Sequence, residues 1–197
     1  LNLSTTSNEL TSLTGDEPIP LGYNVLKIGE PIGSIYLLKQ TGIYQSDSDV
    51  PTTLAANGVR AGDVIYEDVN NDGNITAADR QIVGDAFPDL FGGINNTFKY
   101  KNFDLSIFSS FSSGNDIYSA WRSGGFLSGG SAGSIRVGGG VDGLGFSQFG
   151  MLRETAQNRW TGPGTSNTIP RAIAGGTGAA FHNNQASSRW VEDGSFF

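Results

Sequence analysis

The chain has 197 residues, a formal net charge of −7 and 29 glycines, and 37% of its residues are hydrophobic while 16% are charged. Because the chain is acidic and has no cluster of Lys or Arg, we expect no nucleic-acid partner. The absence of cysteine from the sequence excludes a disulfide framework and a thiolate metal site. No apolar run reaches the roughly 18 residues of a membrane-spanning helix.

The first ninety residues alternate between short apolar runs and turn-rich polar stretches. The segment "LNLSTTSNEL" (1–10) has the alternation of a strand end. The segment "GEPIGSIYLLKQTGIYQ" (29–45) contains an apolar run bounded by Gly and Pro, which predicts a strand. Further on, "AADRQIVGDAF" (77–87) predicts a helix of about two turns that ends before Pro88.

The acidic stretch "DVNNDGNITAAD" (68–79) fits the twelve-residue pattern of a calcium-binding loop. Oxygen ligands of this kind and number suit Ca²⁺, and Gly73 at position 6 permits the sharp turn. We expect mutual repulsion to raise the pKa values of the converging carboxylates unless a cation lies between them. In the alternative interpretation, "NNDG" is a polar turn and Thr76 caps a short helix together with Asp79. The candidate metal ligands are Asp68, Asn70, Asp72, Asn74, Thr76 and Asp79.

The clearest regular structure lies between Phe91 and Ser113. Polar and apolar residues alternate on both sides of a two-residue link, Lys101-Asn102, which indicates a β-hairpin. One apolar and one polar face are typical of an outer-membrane barrel hairpin, and also of a surface hairpin packed on a soluble core. Phe108 is the exception on the polar face. Phe98 and Tyr100 precede the link, and the residues beyond it that are predicted to share one face are Phe103, Leu105, Ile107, Ser109 and Phe111.

The last third of the chain is dominated by glycine and serine, and only "QFGMLRETAQNRW" (148–160) predicts a short helix. Such long irregular stretches are uncommon in compact domains but normal in the outer loops of membrane barrels. The motifs "GGSAG" (129–133) and "GGGVDG" (138–143) match nucleophile and dinucleotide patterns without the strand and helix that those sites require. We expect His182 to be solvated in a polar loop, and we expect no enzyme activity.

The aromatic residues of this region allow two roles. Their rings can stack on sugar rings of a substrate, or they can pack the loops against one another and against a partner protein. Loop packing is the default expectation. The residues concerned are Trp121, Trp160 and Trp190, with Tyr118 and Phe126.

Five segments in the same order resemble one family, the SusC/RagA-like TonB-dependent outer-membrane transporters of Bacteroidota. They are "GEPIGSIYLLKQTGIYQ", "AGDVIYEDVNNDGNITAADRQIVGD", "GGINNTFKYKNFDLSIFSSFSSGNDIY", "RWTGPGTSNTIPRA" and "SSRWVEDGSFF". The resemblance implies an all-β fold, part of a transmembrane antiparallel barrel of the plugged 22-stranded type in the outer-membrane lipid. It further implies a SusD-like surface lipoprotein as partner, energy from TonB through a plug region, and import of oligosaccharides or peptides, that is, nutrient uptake including glycan import.

The resemblance also implies a division of the chain. Residues 1–10 would end a barrel strand, 11–90 would form an extracellular loop region containing the calcium-type loop 68–79, and 91–113 would be a transmembrane β-hairpin. Residues 114–189 would form a long extracellular loop, and 190–197 would start the next strand. We therefore expect this chain to be a piece of a longer polypeptide that does not fold alone, because open barrel edges are not tolerated in lipid. The alternative is a secreted calcium-binding adhesion or dockerin-like module.

Overall fold

The structure is a computed structural model that describes residues 1–123, 153–173 and 182–197. This part of the chain divides into two compact units, each of which is described by itself. Unit 1 comprises Leu1–Tyr36, Ile82–Tyr118 and Val191–Phe197, and unit 2 comprises Leu37–Gln81 and Ser119–Trp190. Among the described residues, no helix has the length and apolar character needed to cross a membrane.

Strands dominate the described residues, and the helices are short. The strands are β1 (Asn2–Thr5), β2 (Ile19–Leu21), β3 (Asn24–Leu26), β4 (Ser34–Leu38), β5 (Gln40–Ile43), β6 (Val64–Tyr66), β7 (Arg80–Asp85), β8 (Leu90–Tyr100), β9 (Phe103–Ser113), β10 (Asp116–Tyr118) and β11 (Val191–Asp193). The α-helices are α1 (Thr52–Ala56), α2 (Ala120–Ser123) and α3 (Arg153–Asn158).

Unit 1 is built around the predicted hairpin. Strands β8 and β9 pair antiparallel in unbroken register from Leu90↔Ser113 to Tyr100↔Phe103, and β1 pairs with the first part of β8. Lys101, the first residue of the two-residue link, has a φ of 52°. A bridge between Ser112 and Phe196 extends the pairing on the outer edge of β9. The hairpin and its turn therefore lie where the sequence alternation predicted them.

Shorter strands complete the sheets. A four-stranded sheet has the order β2-β3-β4-β7, and β10 pairs with β11. The strand predicted within residues 29–45 is present as β4 and β5, which are separated at Lys39. The helix predicted over residues 77–87 is wrong. A single 3₁₀ turn, Ala77–Asp79, is followed directly by β7, because the β-branched residues of "RQIVGD" suit a strand paired in this sheet.

Unit 2 has its own apolar core, although the sequence predicted mainly loops here. Strands β5 and β6 pair across a bulge between Gln40 and Gly42, and two neighbouring clusters of side chains are buried against them. The partly buried Ile75 packs against both clusters. The first cluster contains Leu38, Ile43, Val64 and Tyr66, and the second contains Tyr44, Val50, Leu54 and Val59.

The helix α1 shows why such a short element is stable in unit 2. Gly58 follows the helix with a φ of 92°, and the N–H of Val59 donates to the carbonyl of Leu54 at 3.2 Å. This arrangement is a glycine C-cap that satisfies otherwise unpaired helical carbonyls. Leu54 and Val59 are buried in the second cluster. The cap therefore places two core side chains as well as ending the helix.

Candidate functional site

One side of the β8–β9 hairpin is an apolar face exposed to its surroundings. Its members lie opposite each other in register, as in the pairs Phe98↔Leu105 and Tyr100↔Phe103. Phe103 is 77% exposed and Leu105 is 55% exposed. An exposed row of large apolar side chains marks a surface that contacts another protein or a membrane. We call this surface the apolar face, and its members are Ile94, Phe98, Tyr100, Phe103, Leu105 and Ile107.

The opposite side of the same hairpin is polar. Lys99 and Asp104 form an exposed ion pair with an N–O distance of 3.8 Å. Nearer the middle, the Ser106 hydroxyl donates to Oδ1 of Asn95 at 3.3 Å. Phe108 lies on this side, as the sequence indicated, and is 72% exposed. The two faces of one hairpin therefore differ in polarity.

The acidic loop of unit 2 brings its first three candidate ligands together. Oδ1 of Asp68 and Oδ1 of Asn70 both accept the backbone N–H of Asp72, at 3.2 and 3.1 Å. The second oxygen of Asp68 accepts the N–H of Gly73 at 2.8 Å. Gly73 has a φ of 76°, a conformation that favours glycine. The side-chain oxygens of positions 1 and 3 therefore meet at one N–H group, whereas the carboxylate of Asp72 at position 5 accepts Nδ2 of Asn70 at 2.9 Å and the backbone N–H of Asn74 at 2.7 Å.

The last candidate ligand has a second role. Asp79 is fully buried, and its two oxygens accept the backbone N–H groups of Val69 at 3.0 Å and Thr76 at 2.7 Å. The Thr76 hydroxyl in turn accepts the N–H of Ala78. This reciprocal arrangement is a capping box. The capping interpretation of the sequence is therefore present in the structure, and Asp79 keeps only its remaining lone pairs for a cation.

The electrostatics of the loop differ from the sequence expectation. The backbone N–H of Asn74, and then the side-chain amide of Asn70, hold the pKa of Asp72 below its ordinary value. Donors already placed around this carboxylate favour its charged form without a cation. Within the described ranges, no three side chains of the Asp, Glu, His or Cys type come close enough together to hold a metal on their own. Asn74 points its amide Nδ2 toward the carbonyl of Asp72.

A buried polar network, which the sequence did not reveal, holds unit 2 together. The carboxylate of Asp63 is fully buried and receives a two-pronged contact from Arg171, with Nε–Oδ1 and Nη2–Oδ2 distances of 2.8 and 3.0 Å. The same carboxylate also accepts hydrogen bonds from Nδ2 of Asn183 and from the backbone N–H of Arg60, each at a donor–acceptor distance of 2.8 Å. A buried carboxylate is stable only when it is paired with a positive charge and hydrogen-bonded, and the Asp63 carboxylate has both kinds of partner.

His182 belongs to the same network, so the expectation of a solvated histidine is wrong. The ring is buried, Nε2 lies 2.7 Å from the carbonyl of Val64, and the edge of the ring faces Tyr66. Burial lowers the pKa of His182, although the hydrogen bond with Val64 and the charge of Asp63 act in the opposite direction. The neutral imidazole is therefore a packing and hydrogen-bonding group of the core.

The aromatic residues follow the packing interpretation where the structure describes them. Trp190 is 1% exposed, and its indole N–H donates to the carbonyl of Gln185 at 3.1 Å. Trp160 packs against the first core cluster and donates to Oε1 of Gln45. Tyr118 lies over Tyr23, with ring centroids 4.2 Å apart. The side chain of Trp121, the whole of Phe126 and the two glycine motifs lie outside the described residues.

Comparison with known proteins gives sequence relatives of one kind. TonB-dependent receptor P3 of Formosa agariphila is 30% identical over 175 residues, which are 87% of this chain and 15% of the receptor. TonB-dependent receptor P26 of the same organism is 28% identical over 203 residues, which are 99% of this chain and 18% of the receptor. The chain therefore spans less than a fifth of the length of these relatives. No family model matches the chain.

A solved structure has the same fold. The structure of the RagAB peptide transporter matches 90% of this chain and 16% of its own chain, with a TM-score of 0.53 and 14% sequence identity. The strand-rich architecture predicted from the sequence is confirmed by this match. At the level of the family, similarity to receptors also agrees with the expectation that the chain is not an enzyme. The sequence relatives and the shared fold together assign this chain to the SusC/RagA-like TonB-dependent transporters, as a segment of one.

Proposed function

We propose that this chain forms part of an outer-membrane active transporter, with the β8–β9 hairpin as a piece of the barrel wall. The observation that carries the proposal is the apolar face, whose aromatic and aliphatic side chains are exposed on two strands of 11 residues each. Strands of about 9 to 11 residues cross a bilayer when tilted. The polar side of the same hairpin suits a lumen that faces water, a plug or substrate.

The resemblance to the family supports the rest of the assembly. The complete protein would be a barrel of the 22-stranded type in the outer membrane, closed by a SusD-like surface lipoprotein and energised by TonB through a plug. Its substrates would be oligosaccharides or peptides. Residues 11–90 and 114–189 would lie on the extracellular side, and the buried core of unit 2 would belong to this side as well.

Membrane fractionation of the complete protein tests the proposed location. We expect the protein in the outer-membrane fraction and soluble only with detergent, and we expect its deletion to abolish uptake of its substrate. Recovery as a soluble secreted protein would contradict the transporter and would favour the calcium-binding adhesion or dockerin-like alternative. Uptake with and without the SusD-like lipoprotein tests the partner separately.

We further propose that the loop 68–79 binds Ca²⁺ as a structural ion of unit 2. The support is that Oδ1 of Asp68 and Oδ1 of Asn70 meet at the backbone N–H of Asp72, and that these oxygens and the Asp72 carboxylate keep lone pairs beyond those used by N–H donors. The backbone carbonyl of Asn74, Thr76 and Asp79 would complete the shell. Hard oxygen donors of this type suit Ca²⁺. The ion would be structural, since it stiffens a loop that is already tied to α1 through the hydrogen bond from Thr53 to the carbonyl of Gly73.

Calcium titration calorimetry on the complete protein in detergent tests this site. Asp72→Asn should abolish the heat of one binding event, and the same change at the exposed Asp49, which lies outside the loop, should leave that heat unchanged. Wild-type protein should show the event with Ca²⁺ and a much weaker one with Mg²⁺, because Mg²⁺ demands a smaller octahedral shell. Equal heats of calcium binding for wild type and Asp72→Asn would contradict the proposed calcium site.

A further inference from the structure

The helix α1 ends at the dipeptide Asn57-Gly58, which is the only Asn-Gly pair in the sequence. The side chain of Asn57 is exposed and follows the helical residues Thr52–Ala56 directly. Because glycine carries no Cβ and bends freely, its backbone nitrogen reaches a preceding side-chain amide with the least obstruction. The dipeptide therefore combines a reactive sequence with an exposed position.

The closed helix protects both groups that would react. Nδ2 of Asn57 donates to the carbonyl of Thr53 at 3.3 Å, and the backbone N–H of Gly58 donates to the carbonyl of Ala55 at 3.1 Å. The nitrogen of Gly58 attacks only after it has lost its proton. An N–H group held in a hydrogen bond keeps its proton until the structure opens locally, as in hydrogen exchange.

The helix is also short enough to open. It has five residues, and a helix of this length is not stable by itself in water. It is held closed by its glycine cap and by the burial of Leu54 and Val59, which are 7% and 1% exposed. Helix ends held by so few contacts open more easily than the core of a domain.

We propose that Asn57 is a site of spontaneous deamidation, and that the reaction proceeds from the opened cap of α1. The backbone nitrogen of Gly58 gives up its proton and bonds to Cγ of Asn57, the bond between Cγ and Nδ2 breaks, and ammonia leaves. Water then opens the cyclic imide at either of its carbonyls. The product at position 57 is an aspartate or an isoaspartate, with one negative charge more than before.

The product closes α1 less well than the asparagine does. It has lost the Nδ2 donor that contacts Thr53, and its charge lies at the C-terminal end of a helix, where the macrodipole disfavours a negative group. Isoaspartate also lengthens the backbone directly before Gly58, whose φ of 92° forms the cap. The reaction is therefore a one-way change that loosens the contact of Val59 with the second core cluster. This inference goes beyond the proposed transport function, which does not involve the dipeptide.

Peptide mapping by mass spectrometry tests the proposal on the complete protein in detergent, incubated at mildly alkaline pH. We expect Asn57 to lose its amide roughly tenfold to a hundredfold more slowly than in the denatured protein, because a helix end opens only part of the time. The same factor should appear as the hydrogen-exchange protection of the Gly58 amide. Asn158 is an internal control, because it is exposed and ends the short helix α3 but precedes Arg159, and it should keep its amide.

Three variants separate the chemistry from the opening. Asn57→Gln keeps an amide on a longer side chain and should abolish the modification at this position. Asn57→Asp reproduces one product and should speed hydrogen exchange of residues 54–59. Val59→Ala removes buried contacts that hold the cap closed, and it should speed exchange at Gly58 and deamidation of Asn57 by the same factor.

The proposal is overturned if Asn57 keeps its amide while the denatured protein loses it, or if the folded protein reacts as fast as the denatured one. Faster exchange in Val59→Ala without faster deamidation would also overturn it. If Val59→Ala proves unfolded, the match between exchange protection and reaction rate in the wild type decides. None of these results depends on fractionation, uptake or calcium binding, so a failure here is distinguishable from a failure of the proposed function.

Discussion

The two units of this chain treat their apolar side chains in opposite ways. Unit 2 buries them in two adjacent clusters, with Val64 and Ile43 almost completely removed from water. Unit 1 exposes them along the β8–β9 hairpin, where Phe103 and Leu105 keep most of their surface accessible. Burial of apolar area is the main driving force of folding. Unit 2 therefore supplies its own driving force, whereas the hairpin depends on an apolar environment that the described residues do not provide.

The largest expected effect is at the centre of unit 2. Asp63→Ala leaves Arg171 and Asn183 without their buried partner and should cost about 3–5 kcal/mol, as breaking a buried ion pair does. Hydrogen exchange of the peptide covering residues 59–66 in the complete protein measures the loss. Glu67→Ala is the control, because its ion pair with Lys39 is roughly half exposed and should contribute far less. Equal effects would show that Asp63 is not a central group of this unit.

The hairpin should respond according to which face is changed. Ile107→Arg places a charge on the apolar face and should cost about 2–4 kcal/mol near the middle of a bilayer. Ser106→Arg, one residue earlier on the polar side, should be tolerated. The yield of heat-modifiable, folded protein in the outer membrane compares the two variants. Similar yields would contradict the assignment of the faces.

A smaller effect is expected at the contact between Gly62 and Trp160. A Cβ on Gly62 would lie 2.5 Å from the Trp160 ring and 2.9 Å from the Arg171 side chain, whereas a Cβ on Gly164 would meet open space. Both glycines have positive φ, 88° and 79°, so Gly164→Ala controls for backbone strain. Gly62→Ala should be about 1–3 kcal/mol more destabilising, the range typical of overpacking. Thermal unfolding followed by tryptophan fluorescence measures the difference.

The smallest effect is a pH dependence within unit 2. Burial lowers the pKa of His182 in the folded state, so the unfolded chain binds more protons once the pH falls below about 6.5. Stability should therefore be full above about pH 6.5 and should be lost as the pH falls toward the folded pKa. Exchange-derived opening free energies for residues 62–66, corrected for intrinsic rates, follow this loss. His182→Gln should flatten the dependence, and an unchanged profile would assign it to other groups.

The sequence predicted the hairpin well because its signal is local. Period-two alternation on both sides of Lys101-Asn102 fixes the strands, the turn and the faces at once. The core of unit 2 was missed for a physical reason. Its strands β5 and β6 have four and three residues, which are too few to show a recognisable period. The glycines and polar residues around these strands are typical of loops.

The acidic loop shows which structural features a short sequence motif can predict and which it cannot. The pattern of residues 68–79 predicted the capping box of Thr76 and Asp79 correctly, since a capping box depends on near neighbours, while calcium binding by the loop stays a prediction. It gave no sign of the buried network, because Val64 and His182 are 118 residues apart and Asp63 meets Arg171 across 108. Residues that contact each other across so many positions form no recognisable spacing pattern in the sequence. The strand β7 was likewise set by pairing within a sheet, which overrode a weak helical pattern.

The most direct test of the account measures what surrounds the apolar face in the membrane. Spin labels on cysteines introduced at Leu105 and Ile107, and at Asp104 and Ser106, report collisions with dissolved oxygen and with a water-soluble nickel reagent. The account predicts high oxygen collision rates at the two apolar positions and low ones at the two polar positions, alternating along β9. Labels at Leu105 and Ile107 that are shielded from both reagents would show these side chains buried in protein, and the hairpin would then not be part of a barrel wall.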